Sequence, residues 1–210
     1  MRLTELERRA SETLGMPLHI AACRSGESAG DLNAAEHAEL EQFETEARRR
    51  DWRRGRLALK SVLRSLDRSD DTSGIHLPVP QLSLTHSDGA AIAVGTPQPD
   101  ARIGIDVEVP RRVNERMALW FLNEPELDWL AQRNASVRAH DLVRLWTVKE
   151  AVFKCHPANR GLVMTDFTIA EPWSAVSDVH HTDGREFRCA SFPEDLGIVS
   201  IAIQGESNED

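Results

Sequence analysis

The sequence predicts a mixed α+β fold built from helices and antiparallel sheets. Helical and strand-like hydrophobic periods both occur along the 210 residues, and turn residues separate neighbouring strand-like segments. Each half of the chain has one or more helices followed by about three strands. We therefore expect two similar α+β halves with a pseudo-twofold relation, residues 1–108 and residues 109–210, without a visible sequence repeat.

The first half begins with a helical pattern at Leu3–Leu14 and a strand pattern at Leu18–Cys23. Asp31 is expected to cap a helix that continues toward Phe43, and a longer helix is expected at Ala47–Leu66. Strands follow at Leu82–Thr85, Ala90–Gly95 and Arg102–Glu108, with a hairpin turn at Ser87–Gly89 between the first two.

The second half becomes helical after Pro110. Asn123 is the expected cap of one helix, with Pro125 in its first turn, and Ser136 is the expected cap of a long helix that ends near His156. The remaining strand-like segments are Asp166–Ala170, Ser174–Val179, Glu186–Ser191 and Ile198–Ile203.

Composition and charge argue against two broad classes of protein. A net charge of -9 is unfavourable for a general nucleic-acid binder. No apolar run of about 18 residues is present, so we expect no membrane span. The cysteines show no paired or metal-type spacing, and the N-terminus has no apolar signal core, so we expect reduced thiols in a cytoplasmic protein.

Basic residues are concentrated in one segment. Arg48–Arg64 contains eight of them and a single acid, Asp51. Taken alone, such a segment is most simply a solvated helix face. The alternative is an anion site, and its weight depends on which side chains lie nearby.

Three acidic residues in two segments predict a cation site. In the strand, alternation sends Asp106 and Glu108 out of the same face. In the long helix, Trp146, Glu150 and Lys154 follow an i, i+4, i+8 stripe. Each feature alone has an ordinary interpretation, an acidic edge strand or a helical ion pair. If the two faces meet, three carboxylates and an ammonium surround one space, which suits Mg²⁺ and phosphate chemistry.

Together with Thr85-His86-Ser87, these motifs resemble those of the 4′-phosphopantetheinyl transferases, in particular the larger, surfactin-synthetase-type branch. That family is marked by a Gly-Ile-Asp-x-Glu strand, a Trp-x-x-Lys-Glu-Ala helix and an upstream Ser-His-Ser turn. The first two are here Gly104–Glu108 and Trp146–Lys154. The similarity runs from about residue 48 to residue 154.

The resemblance implies a reaction and a cleft between two α+β halves in which coenzyme A binds. The enzyme would transfer the phosphopantetheine arm of coenzyme A to a serine of an acyl or peptidyl carrier protein, releasing adenosine 3′,5′-bisphosphate. By the same resemblance, Asp106, Glu108 and Glu150 would hold Mg²⁺, and Lys154 would contact a phosphate oxygen.

Further residues would bind coenzyme A. The resemblance implies that His86 hydrogen-bonds a phosphate and that Arg56, with Arg48 as a second candidate, holds the 3′-phosphate. The family's usual Gly-Lys-Pro or Gly-Arg-Pro element is replaced by Gly74–Pro78, which has no Lys or Arg. His76 is the candidate substitute there, and Thr85 replaces the usual serine while keeping the hydroxyl.

Chemistry at this site needs charge stabilisation and a base. The metal and Lys154 would neutralise charge on the leaving oxygen. Asp106, as a ligand of that metal, is counted with Lys154 and Glu150 among the expected catalytic residues. Glu150 is the expected base for the serine proton, directly or through a metal-bound water. Without a cation, three crowded carboxylates should be partly protonated or poorly ordered.

Other functions and surfaces remain open at the level of sequence. A family member without transfer activity could bind coenzyme A as a scaffold or regulator, and a metal-dependent phosphohydrolase is a third reading. Carrier proteins are typically acidic around the modified serine, so a basic patch should receive them. Trp120-Phe121-Leu122 is a candidate part of that surface, and no metal site is assigned to His156 or His181.

Overall fold

The computed structural model describes residues 3–24, 32–87, 89–110, 113–158 and 161–204. The described residues contain six α-helices: Leu3–Leu14 (α1), Ala34–Leu40 (α2), Glu46–Ser65 (α3), Glu115–Phe121 (α4), Glu124–Ala131 (α5) and Ala135–Cys155 (α6). They contain eight strands: His19–Arg24 (β1), Leu82–Ser87 (β2), Ala90–Gly95 (β3), Ile103–Glu108 (β4), Phe167–Ile169 (β5), Val176–His181 (β6), Glu186–Glu194 (β7) and Gly197–Gln204 (β8). The predicted α+β class is confirmed.

The strands form two antiparallel sheets. One has the order β1-β3-β2, and the other has the order β4-β8-β7-β6-β5. β4, the last strand of the predicted first half, pairs with β8 near the C-terminus, with Asp106 opposite Ser200. The division of the chain at residue 108 and the twofold relation between halves stay predictions.

Each sheet has one face against a long helix and one face in a shared core. Ala91 and Ala93 of β3 pack with Leu59 of α3. The alternate residue Ile92 packs in a second cluster with Ile105 of β4, together with residues of α1 and β8. α6 covers the other face of the five-stranded sheet in a third cluster. Because strand side chains alternate, the β4 residues that do not enter the shared core point toward α6.

Polar side chains mark the helix starts, with two differences from the sequence prediction. Asn123 caps α5 as predicted and forms a capping box with Glu126. Asn33 caps α2, whereas the expected cap Asp31 lies outside the described residues. α6 begins at Ala135, so the prediction that Ser136 caps it is wrong: Ser136 already lies within the first turn.

No described helix is long and apolar enough to cross a membrane. The hairpin predicted between the second and third strands is confirmed by the pairing of β2 with β3. Its turn residue Asp88 lies outside the described part of the chain.

Candidate active site

α6 lies directly against β4 because residue 104 is a glycine. A β-carbon built on Gly104 would lie 1.9 Å from the Ala151 carbonyl oxygen. No side chain can be accommodated at that distance, since the opposing atom is backbone. Gly104 and Ala151 belong to the two motifs on which the sequence prediction depends, and their contact brings those motifs together.

Asp106 and Lys154 form the centre of the site. Lys154 Nζ donates to Asp106 Oδ1 at 2.8 Å and to the Ile105 carbonyl oxygen at 3.1 Å. The lysine side chain is 27% exposed and the aspartate side chain 9%. The strand face and the helix stripe therefore meet, as expected from their periodicities.

Glu150 and Glu108 complete an acidic group around this pair. Desolvation by the surrounding protein raises the pKa of Glu150; the ammonium of Lys154 opposes this, and the charges of Asp106 and Glu108 add to it. Among the described residues, no hydrogen bond to the Glu150 side chain is present. Burial is thus the main cause of the raised pKa, and the neighbouring carboxylates add to it.

Hydroxyl groups of β2 contact the carboxylates of β4. Thr85 Oγ1 donates to Asp106 Oδ1 at 2.9 Å, and Ser87 Oγ lies 3.5 Å from Glu108 Oε1. The Val109 N–H also donates to Glu108 Oε1, at 2.9 Å. Sequence reasoning missed these contacts, although hydroxyl residues at every second position of a strand were their visible signal.

His86 points from the opposite face of β2 toward α3. A β-carbon on Gly55 of α3 would lie 2.9 Å from His86 Nε2, so the glycine makes room for the ring. His86 Nε2 lies 3.0 Å from the Asp51 carbonyl oxygen. A carbonyl only accepts hydrogen bonds, so Nε2 carries a proton here. Desolvation lowers the pKa of His86.

A cavity of 310 Å³ lies beside His86. Its lining combines cations, imidazoles and apolar groups: Arg48, Trp52, Arg56, Leu59, Ile75, His76, Leu77, Leu84 and His86. Arg48, Arg56 and His86, the candidate residues for binding coenzyme A, thus line one cavity. The candidate substitute His76 lies there too.

The two arginines of this cavity differ in their partners. Arg56 Nη1 donates to the carbonyl oxygens of Thr72 and Ile75, both at 2.9 Å, and Nη2 donates to Glu39 at 3.1 Å. Arg48 is exposed, its guanidinium lies 5.6 Å from the Phe43 ring centre, and it has no acidic partner among the described residues. Arg48 is the cation with spare capacity for an anion.

The carboxylate oxygens of Asp106 and its neighbours suit a hard divalent cation. Oxygen ligands from three carboxylates are the chemistry that Mg²⁺ prefers, and Asp106 Oδ2 accepts no hydrogen bond from the described residues. The oxygens of Asp106, Glu108 and Glu150 are not grouped within 4.8 Å of one another. Binding of one cation by all three carboxylates would therefore require these side chains to move closer together.

His156, His181 and Asp183 form a second cluster, whose donor atoms do lie within 4.8 Å of one another. The Ala158 N–H donates to His156 Nδ1 at 3.1 Å, which leaves Nε2 to carry the ring proton and donate to Asp183 at 3.1 Å. A metal on that Nε2 would need the opposite tautomer. The cluster is therefore a hydrogen-bonded contact between the end of α6 and the β6–β7 turn.

The candidate carrier surface is only partly exposed. Trp120 is 73% exposed, but Phe121 and Leu122 are buried, so the prediction is wrong for these two. α4 is amphipathic, and Phe121 packs edge-on against Trp146 of α6 with ring centres 4.9 Å apart. Trp120 thus lies on the helix that contacts α6 one turn before Glu150.

A strand and a helix that gather three carboxylates and an ammonium define a candidate cation-assisted phosphate site. Residues 102–203, just under half of the chain, match the family model of the 4′-phosphopantetheinyl transferase superfamily. The segment includes Asp106, Glu108, Glu150 and Lys154. The surfactin-synthetase-type branch stays a prediction.

The structure is also similar to the crystal structure of holo-[acyl-carrier-protein] synthase from Thermotoga maritima. The match has 22% sequence identity and a TM-score of 0.39, and it covers 49% of this chain and 61% of that chain. No curated protein matches the sequence.

Proposed function

We propose that the protein is a cytoplasmic, Mg²⁺-dependent 4′-phosphopantetheinyl transferase. It would use coenzyme A to modify a serine of an acyl or peptidyl carrier protein of polyketide, peptide or fatty-acid synthesis. The observation that carries the proposal is the meeting of Asp106 and Lys154 beside Glu108 and Glu150, within the segment that matches the superfamily.

Coenzyme A would lie with its nucleotide end in the cavity beside His86. Arg48 offers a guanidinium without an acidic partner among the described residues, and His76 and His86 add imidazoles. The pyrophosphate would then reach across β2 to the acidic group. Lys154 has used two of its three donors, on Asp106 and Ile105, so the third is available to a phosphate oxygen.

In the proposed reaction, the serine oxygen of the carrier forms a bond to the phosphorus that bears pantetheine. The bond from that phosphorus to the bridging oxygen breaks, and adenosine 3′,5′-bisphosphate leaves. Glu150 would accept the serine proton, directly or through a metal-bound water, because its carboxylate belongs to the acidic group beside the reacting phosphate. Mg²⁺ held by Asp106, Glu108 and Glu150 would supply charge neutralisation at the pyrophosphate.

The carrier would approach beside α4. The exposed Trp120, together with Leu119 at 69% exposure, offers apolar surface on the helix that contacts α6 near Glu150. Arg116 on the same helix adds a positive charge that an acidic carrier would favour.

One assay separates this function from its rivals. The protein is incubated with coenzyme A, Mg²⁺ and an apo carrier protein, and the carrier is weighed by mass spectrometry. A phosphopantetheine adduct supports transfer. Tight coenzyme A binding without an adduct supports a scaffold, and coenzyme A breakdown without a carrier supports hydrolysis.

The variant Glu150→Gln tests the assigned base. Loss of general-base catalysis should slow transfer by about 10²–10⁴-fold. The fold should remain, because the side chain has no hydrogen-bond partner to lose among the described residues. Unimpaired turnover in a folded variant would remove Glu150 from the mechanism.

A further inference from the structure

β2 and β4 belong to different sheets, and side-chain hydroxyls of β2 connect them. Ser83 Oγ accepts from the Ile105 N–H at 3.1 Å, and Thr85 Oγ1 donates to Asp106 Oδ1 at 2.9 Å. Ser87 makes the third contact, with Glu108 at 3.5 Å. All three hydroxyl residues are buried. The spacing of two residues gives one hydroxyl for each successive contact along β4.

These three contacts are not equivalent. Ser83 satisfies a backbone N–H, which is a structural task. Ser87 lies at the distance limit of a hydrogen bond. Thr85 alone makes a short bond to a carboxylate of the acidic group.

Asp106 is held through one oxygen only. Oδ1 receives two donors, Thr85 Oγ1 from β2 and Lys154 Nζ from α6. Oδ2 receives none from the described residues, although the residue is only 7% exposed. Rotation of the carboxylate would break both bonds in a buried setting, which is costly. The two donors therefore fix which oxygen is left for a ligand.

We propose that Thr85 is a positioning residue that orients Asp106 and leaves Oδ2 to a divalent cation. The inference rests on the proposed function and deepens it. Threonine suits the task because its branched side chain restricts rotation about χ1, so the hydroxyl direction is fixed as well. Lys154 is 27% exposed and can also contact a phosphate, whereas Thr85 is 4% exposed and its hydroxyl hydrogen-bonds only Asp106 among the described residues.

The test measures Mn²⁺ binding directly, in the presence of coenzyme A, by electron paramagnetic resonance. Thr85→Val removes the hydroxyl and keeps the shape, and Thr85→Ser restores the donor. Ser83→Ala is the matched control, because it removes a buried hydroxyl of the same strand that contacts only backbone of β4. Thermal unfolding of all variants is measured alongside.

We expect Thr85→Val to weaken Mn²⁺ binding about tenfold or more, the usual cost of losing an outer-shell partner of a metal ligand. Thr85→Ser should stay within about threefold of the wild type, since the donor remains. Ser83→Ala should lower the unfolding temperature without changing Mn²⁺ affinity. A purely structural role of Thr85 would instead give Thr85→Val and Ser83→Ala the same unchanged affinity, and that result overturns the inference.

The same measurements separate failure of the inference from failure of the proposed function. Transfer to the carrier by the wild type, with Mn²⁺ affinity unchanged in Thr85→Val, rejects the positioning role and keeps the function. Mn²⁺ binding that depends on Thr85, without transfer to any carrier tested, keeps the positioning role and rejects the function. Absence of Mn²⁺ binding in the wild type overturns the inference outright.

Discussion

Two lysines of α6, five positions apart, make contrasting ion pairs. Lys149 pairs with Glu126 at 2.8 Å, and both side chains are at most 1% exposed. Lys149 also donates to the Phe167 carbonyl oxygen, and Glu126 accepts from the Ile169 N–H at 2.8 Å. Lys154 pairs with Asp106 at the same distance, but it is 27% exposed and has a donor to spare.

The difference teaches which ion pair is available for chemistry. A buried pair whose hydrogen-bonding capacity is filled from several elements holds those elements together, here α5, α6 and β5. A partly exposed pair with unfilled capacity can take a ligand. The arginines of α3 repeat the pattern in part, since three of the five Arg56 N–H donors are taken by protein acceptors, Glu39 among them, whereas Arg48 has no acidic partner among the described residues.

The strongest test of this contrast makes the same substitution at both lysines. Lys149→Met leaves Glu126 buried without its cation, which should lower the free energy of unfolding by about 3–5 kcal/mol. Lys154→Met should cost less, about 1–3 kcal/mol, because the ammonium is partly exposed, although Asp106 is buried and loses its cation. Chemical denaturation measures both.

The transfer rate should rank the two variants in the opposite order, with the larger loss in Lys154→Met. Lys154→Met should slow transfer by about 10²-fold, as expected when an electrostatic donor is removed. The folded fraction of Lys149→Met should transfer at nearly the wild-type rate. Equal losses of stability in the two variants would show that burial does not distinguish them.

Gly104→Ala tests the contact that brings the two motifs together. The added β-carbon meets the Ala151 carbonyl oxygen, so β4 and α6 must separate, with a loss of at least about 1–3 kcal/mol of stability. Transfer should fall as well, since Asp106 and Lys154 come from the two separated elements. Gly74→Ala is the control, because nothing lies within 4 Å of its β-carbon position. If both variants unfold at the wild-type temperature, the close approach is not required.

The contrast also explains what the sequence could predict. Periodicity placed Asp106 and Glu108 on one strand face, and Glu150 and Lys154 on one helix face, because those relations are local. The role of Thr85 depends on β2 lying beside β4, which are in different sheets, and no local pattern gives that neighbour. The helix cap at Asn134 was missed because Asn134 and Ser136 are both common cap residues, and the chain becomes helical at Ala135.

The hydrogen-bond partners of the α3 arginines were likewise not predictable from local sequence patterns. The basic segment left an anion site open as the alternative to a solvated helix face, but nothing in it indicated that Thr72, Ile75 and Glu39 would accept hydrogen bonds from Arg56. Those partners are 16 to 19 residues away in one direction and 17 in the other. How many of the N–H donors of a cationic side chain are already hydrogen-bonded therefore depends on the tertiary structure.

Arg48→Ala and Arg56→Ala extend the contrast to coenzyme A. Arg48→Ala should raise the apparent KM for coenzyme A about tenfold with little change in kcat, because a charge-assisted hydrogen bond is lost in uniform binding. Arg56→Ala should instead lower stability by about 1–3 kcal/mol, since buried carbonyl groups lose their donor. Steady-state kinetics measure the KM of both variants, and chemical denaturation measures their stability.

Dephospho-coenzyme A identifies the phosphate involved. If Arg48 holds the 3′-phosphate, Arg48→Ala should weaken the use of coenzyme A but leave the use of dephospho-coenzyme A unchanged. Should Arg56→Ala behave this way instead, with normal stability, the family-based role of Arg56 is correct and our ranking of the two arginines is wrong.

The smallest effect concerns the proton on His86. In the free protein, desolvation lowers the pKa of His86, and its Nε2 proton is already donated to the Asp51 carbonyl oxygen. Nδ1 can donate to a phosphate only in the protonated ring, and a bound phosphate would raise the pKa. Binding of coenzyme A should therefore take up a fraction of a proton between the free and bound pKa values, and affinity should fall as the pH rises through that window.

Calorimetry in two buffers of different ionisation enthalpy measures this uptake. Because a phosphate monoester of the ligand titrates at about pH 6 as well, the informative quantity is the difference between the wild type and His86→Gln. The glutamine amide can still donate to the Asp51 carbonyl oxygen but cannot gain a proton. Equal proton uptake in the two proteins would mean that His86 stays neutral, and its contact with a phosphate would then have to be made without Nδ1.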